Sequence, residues 1–194
     1  MGGLGNFQGI PRMKERLALD LEREYPNLTP DAYKVTSRQD KRYNCVGWAA
    51  KRDQHKWWEP IKEPGCFWPP SVPFDHSFRN YVKVFESLGY VECKDAFPEN
   101  GLEKVALFKD LLGHFTHVSH QLENGTWSSK LGPFEDVRHD TNYSLEGKGA
   151  KEGYGYVSVL MKRRRQIWDN PRKPSLISIG IDRLCRLLSK CNFP

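Results

Sequence analysis

The stretch Phe115-Thr116-His117-Val118-Ser119-His120-Gln121-Leu122-Glu123-Asn124-Gly125-Thr126-Trp127-Ser128-Ser129-Lys130 decides the fold. Its first eight residues read as a strand: His117, Ser119 and Gln121 point to one face, and Val118, His120 and Leu122 to the other. Glu123-Asn124-Gly125 is a tight-turn signal, and Thr126 to Lys130 is the returning strand of a hairpin. Upstream, Lys104 to Lys109 is a short apolar run bounded by charges, as a central strand would be. Leu111 to His114 turns the chain between the two. Tyr90 to Cys93 is a further short strand, and Tyr154 to Lys162, beyond the Gly132-Pro133 break, is the last. Helices precede the strands. Pro11 to Tyr25 is helical in pattern and is stopped by Pro26. Cys45 to about Gln54 is a short helix with Asn44 as its N-cap. A third starts at Asp75 or Ser77, carries Phe78, Tyr81, Val82, Phe85 and Leu88 on one face, and ends at Gly89. Between the last two, residues 57–73 hold five prolines and the rings of Trp57, Trp58, Phe67 and Trp68, a wrapped loop whose rings need something to pack on. Helices first and an antiparallel meander afterwards make an α+β fold.

A chain of 194 residues is the size of one domain with a tail. Hydrophobic residues at 38% and charged ones at 28% place it among globular chains, and six tryptophans predict a core of large rings. No apolar run reaches the roughly 18 residues of a membrane span. The stretch Met1 to Gln8 lacks the basic patch and apolar core of a secretory signal. The five cysteines, Cys45, Cys66, Cys93, Cys185 and Cys191, are odd in number and form no Cys-x-x-Cys pair. That argues against a disulfide framework and for a reducing, cytoplasmic compartment. The net charge is +6, with the excess at Lys162 to Arg165, Arg172 and Lys173. Without a zinc-finger spacing or an RNA-binding signature, this cluster reads as a solvated face, and nucleic acid is not the expected partner. The domain is expected over residues 1–168. Residues 169–194 form a basic tail whose short amphipathic helix carries Ile181, Leu184, Leu187 and Leu188.

Cys45 is the residue placed for chemistry. A thiol at a helix N-terminus meets free N–H groups and the positive end of the helix dipole, which favour its thiolate. It also needs a base, and His117, near the start of its strand, is the candidate. Ser129 or Ser128 on the next strand is the polar group available to orient an imidazole. His114, His117 and His120, three apart on a strand, cannot converge on a metal, so no metal or cofactor is expected.

Asn44-Cys45-Val46-Gly47-Trp48, Lys104 to Phe108 and His117 to Trp127, in that order, resemble papain-like cysteine hydrolases, in particular the NlpC/P60 cell-wall amidases. The resemblance implies a papain-like arrangement, with the cysteine helix packed on an antiparallel sheet. It also implies a Cys45–His117 pair, the third position at Ser129, and Gln39, six residues before the cysteine, at the oxyanion hole. Two positions depart from the amidase pattern: Ser129 replaces a His, Asn, Asp or Gln, and Asn44 replaces the usual Asp. The run also resembles an uncharacterised bacterial domain family with a Tyr-Asn-Cys-x-x-Trp-Ala start, a Trp-Trp pair, a Ser-Lys-Leu-Gly motif and a late Tyr-Gly. Here these are Tyr43 to Ala49, Trp57-Trp58, Ser129 to Gly132 and Tyr154-Gly155, within residues 43–163.

Two functions compete. In the first, Cys45 attacks an amide, peptide or isopeptide carbonyl, His117 moves the proton, Ser129 orients the ring and Gln39 helps hold the oxyanion, so the partner is a peptide or amide substrate. In the second, the same fold is a catalytically inactive module that binds a protein partner, or an anionic partner through its basic tail. The Cys45–His117 pair favours the first and the weak third residue the second.

Overall fold

The computed structural model describes residues 20–51, 56–148 and 152–166. Strands β1 (Tyr33–Val35), β4 (Val91–Cys93), β5 (Leu102–Lys109), β6 (Phe115–Gln121), β7 (Trp127–Lys130), β8 (Asp136–His139) and β9 (Tyr156–Arg164) form one antiparallel sheet. Its order is β1-β8-β7-β6-β5-β9-β4. Two helices, α1 (Cys45–Ala50) and α2 (Phe78–Ser87), and a parallel pair, β2 (Trp57–Trp58) with β3 (Cys66–Phe67), complete the described elements. The fold is therefore α+β, with the hairpin-linked strands β5 to β8 as its centre.

Alternation divides the sheet into two faces, each with its own core. Val105, Leu107, Val118 and Met161 meet α1, α2 and the aromatic segment around Trp58. Ala106, Phe108, Trp127, Leu131 and Val137 meet Leu21, Tyr25, Leu28 and Leu145 on the other side. Both faces are thus covered, and the strands read as apolar runs rather than as a strict alternation.

The expected elements and the observed ones differ where side chains outside an element decide its length. Of the helix expected over Pro11 to Tyr25, only the final turn, residues 20–24, lies in the described part. The cysteine helix ends at Ala50, short of Gln54. Lys51 takes a left-handed φ of 54°, returns its amide to the Trp48 carbonyl and sends its ammonium to Glu103. Helix α2 ends as expected: Gly89, at φ 85°, donates to Glu86, and Tyr90 donates back to Phe85, closing the turn over the last carbonyls. The aromatic loop holds β2 and β3, and the sheet gains β1 and β8. Asp136-Val137-Arg138-His139 has one aliphatic residue in four and no strand pattern of its own. Tyr43 Oη and the Ser37 hydroxyl fix it from outside, through the Asp136 carboxylate and amide. The tail, residues 169–194, lies outside the described residues.

Candidate functional site

Asn44 sets the start of α1. Its Oδ1 accepts from the Gly47 amide, capping the helix, and from the Trp58 amide, while Nδ2 donates to the Trp58 carbonyl. One side chain thereby caps α1 and pins β2 beside it. Gly47 is required by this closeness, since a Cβ there would lie 2.3 Å from the Lys56 carbonyl oxygen.

Cys45 follows as the first residue of α1, buried at 8% exposure and packed with Val46, Ala49 and Val118. Burial pushes its thiol up to about 11, against the pull of the Val118, Val46 and Cys45 amides that point at the sulfur. The helix terminus supplies donors, but the apolar enclosure outweighs them.

The expected pairing of Cys45 with His117 is corrected by the sheet. Val118 belongs to the core that contains Cys45, so His117, one residue earlier, projects from the opposite face. There it stacks on Tyr154, with ring centroids 4.1 Å apart, and meets Phe108 edge-on. It is fully buried, and neither ring nitrogen has a hydrogen-bond partner among the described residues. Ser129 is also on that far face, but it serves a different ring: its Oγ lies 2.9 Å from His139 Nε2. His139 Nδ1 lies 2.8 Å from the Thr141 carbonyl. A carbonyl can only accept, so Nδ1 carries the proton and the Ser129 hydroxyl donates to Nε2. Gln39 is exposed in the segment between β1 and α1, and no hydrogen bond joins it to Cys45 among the described residues. The four expected site residues therefore occupy three separate places.

On the α1 side, β6 presents His120 instead. Its ring packs on Trp48 at 5.6 Å, and Trp48 Nε1 donates to Ser128 on β7. Trp48 also stacks on Tyr43, whose other neighbour is the Lys130 ammonium, 4.7 Å from the ring centroid. Tyr43 donates to Asp136 and Lys130 to the Phe134 carbonyl. Strand alternation put His120 on the face opposite to His117, but only the cysteine's packing tells which face α1 covers.

A family model described as a domain of unknown function, DUF7689, matches residues 34–162. The chain belongs to the DUF7689 family. No curated protein and no solved structure matches it. Within this DUF7689 domain the matched span runs from β1 into β9. Residues of its motifs meet one another in two pairs, Tyr43 with Lys130 and Asn44 with Trp58, while Ser129 meets His139 and Tyr154 meets His117.

The same contacts use both ends of the Asn44 amide. An aspartate keeps the acceptor oxygen but replaces the donor to the Trp58 carbonyl with a second oxygen. Asn44→Asp in the DUF7689 domain is expected to cost about 2 kcal/mol, the scale of a buried acceptor left unmet. Urea denaturation at pH 7 checks this; an aspartate variant as stable as the parent would show that the cap alone matters.

One cavity of the DUF7689 domain, about 730 Å³, opens beside the entry to α1. Lys41 and Arg42 contribute from the segment before α1, and residues 56–66 supply the rest of its lining, including Trp57, Glu59, Glu63 and Cys66. Its volume is in the range of small-molecule sites.

Proposed function

We propose that this domain is a non-catalytic binding module on a papain-like arrangement, in which the cysteine helix and the antiparallel sheet persist while the thiol serves the core. The observation that carries the reading is the placement of His117 across the sheet from Cys45. A nucleophilic thiol needs a base within hydrogen-bond reach, and the imidazole that the resemblance assigns to that task is enclosed among Phe108, Tyr154 and the second core. The raised thiol supports the same reading, because the attacking species is the thiolate. The lined cavity beside α1 supports binding as the retained function.

Acyl transfer from p-nitrophenyl acetate tests it. Peptide mapping after brief exposure at pH 7 is expected to find Cys45 acetylated no faster than Cys66 or Cys93. Selective acetylation of Cys45, lost on His120→Ala, would establish a working thiol–imidazole pair on the α1 face and overturn the proposal.

A further inference from the structure

The cavity beside α1 is lined by charges of both signs. Lys41 and Arg42 come from the segment that leads into α1, whereas Glu59 and Glu63 come from the loop between β2 and β3. Trp57 and Cys66, a register pair of these two strands, also line it. Three of the charged groups are already engaged. The Lys56 ammonium lies over the Phe67 ring, 5.9 Å from its centroid. Arg42 is held by the Asp40 carboxylate through both Nε and Nη2. The Glu59 carboxylate accepts from Trp57 Nε1 at 2.6 Å, which also fixes the indole. Of the charged lining residues, Lys41 and Glu63, both exposed and from different segments, are left to face a ligand, with Trp57 and Ile61 as apolar lining. Burial, and after it the charges of Glu63 and Glu59, raise the Cys66 thiol.

We propose that this cavity binds a dipolar organic ion: an anionic group toward Lys41, a cationic group toward Glu63, and a flat apolar body against Trp57. This rests on the reading of the domain as a binding module. A ligand with one charge would leave Lys41 or Glu63 unanswered, and a neutral ring would use only Trp57. Specificity here is the sum of two exposed ion pairs, each a modest contribution on its own.

Cys66 reports occupancy because it lines the cavity and is only partly buried. Its alkylation by iodoacetamide is followed by mass spectrometry with 4-(aminomethyl)benzoate as the dipolar probe, and with 4-methylbenzoate and 4-methylbenzylamine as single-charge probes. Cys93, on β4, is the internal control. The dipolar probe is expected to slow Cys66 and not Cys93, at a concentration roughly fivefold below that needed by either single-charge probe. Lys41→Gln is expected to remove its advantage over the amine, and Glu63→Gln its advantage over the carboxylate; both positions are exposed, so neither change threatens the fold. Failure to protect Cys66, equal protection by all three probes, or indifference to both substitutions would overturn the assignment. The result is read on Cys66 and the non-catalytic reading on Cys45, so either can fail alone.

Discussion

Replacing Glu103 by alanine is expected to cost about 3–5 kcal/mol, the loss that follows when one partner of a buried ion network is removed. Glu103 is 1% exposed and accepts from Lys51 Nζ at 2.5 Å, Arg163 Nε at 2.6 Å and Tyr90 Oη at 3.0 Å. Each partner belongs to a different part of the fold. Lys51 is the C-cap of α1, Tyr90 follows the Schellman turn of α2, and Arg163 lies on β9 and donates in turn to the Leu88 carbonyl. One carboxylate therefore ties the ends of both helices to the sheet. Burial pushes its pKa up, but Lys51 and Arg163 outweigh burial and bring it down to about 2. Without Glu103, the enclosed Lys51 and Arg163 cations lose this shared carboxylate. The melting temperature of Glu103→Ala is expected to fall by roughly 10 °C, and Glu103→Gln, which keeps the shape, should recover only part of this. A loss below about 1 kcal/mol for the alanine variant would show that water replaces the carboxylate at no cost.

Mild acid is expected to destabilise the domain before its carboxylates titrate. Burial holds His139 near 4, below its ordinary 6.5, and burial, joined by repulsion from His139 once that ring is protonated, holds His117 well below 6.5. Both are neutral in the folded state, and the unfolded chain binds their protons first. Their stability contribution is thus complete above pH 6.5 and is lost as pH falls from 6.5 toward 4, by about 3 kcal/mol for His139 alone. Glu103 adds a second loss lower down, as pH falls from its ordinary 4.5 toward 2. The buried Asp136, raised by its enclosure, works in the opposite direction and offsets part of the slope. His117→Phe is the discriminating variant. It keeps a ring between Phe108 and Tyr154 and removes two unpartnered nitrogens, so it is expected to flatten the decline between pH 6.5 and 5 and to equal or exceed the parent at pH 5. Urea midpoints measured across this range check both statements; parallel curves for parent and variant would place the acid sensitivity elsewhere.

Much of the central sheet was legible because its signals are local. The Glu123-Asn124-Gly125 turn, the charge-bounded run before Lys109 and the Gly89 stop each act within a few residues. The Asn44 cap was legible for the same reason, but its bonds to Trp58 were not, since they join positions brought together only by folding. Strands β1 and β8 were missed because Tyr33 to Val35 and Asp136 to His139 are short and are held by partners far away in sequence, Tyr43 and Ser37 among them.

The site was misread at one step. Alternation shows that His117 and His120 point to opposite faces, but it does not show which face α1 covers. The register shift between Phe108 and Lys109 adds to the ambiguity. It turns Phe115 toward α2, where it stacks on Tyr81 at 3.7 Å, so the first residue of β6 no longer shares a face with His117.

The pH dependence of Cys45 alkylation tests the central claim most directly. With iodoacetamide in excess and each cysteine resolved by peptide mapping, the rate at Cys45 should rise with pH toward an apparent pKa of about 11, with no inflection near neutrality, and should not change on His117→Ala where that variant folds. An inflection below pH 7 at Cys45, abolished by His120→Ala, would contradict the account and make this cysteine a nucleophile.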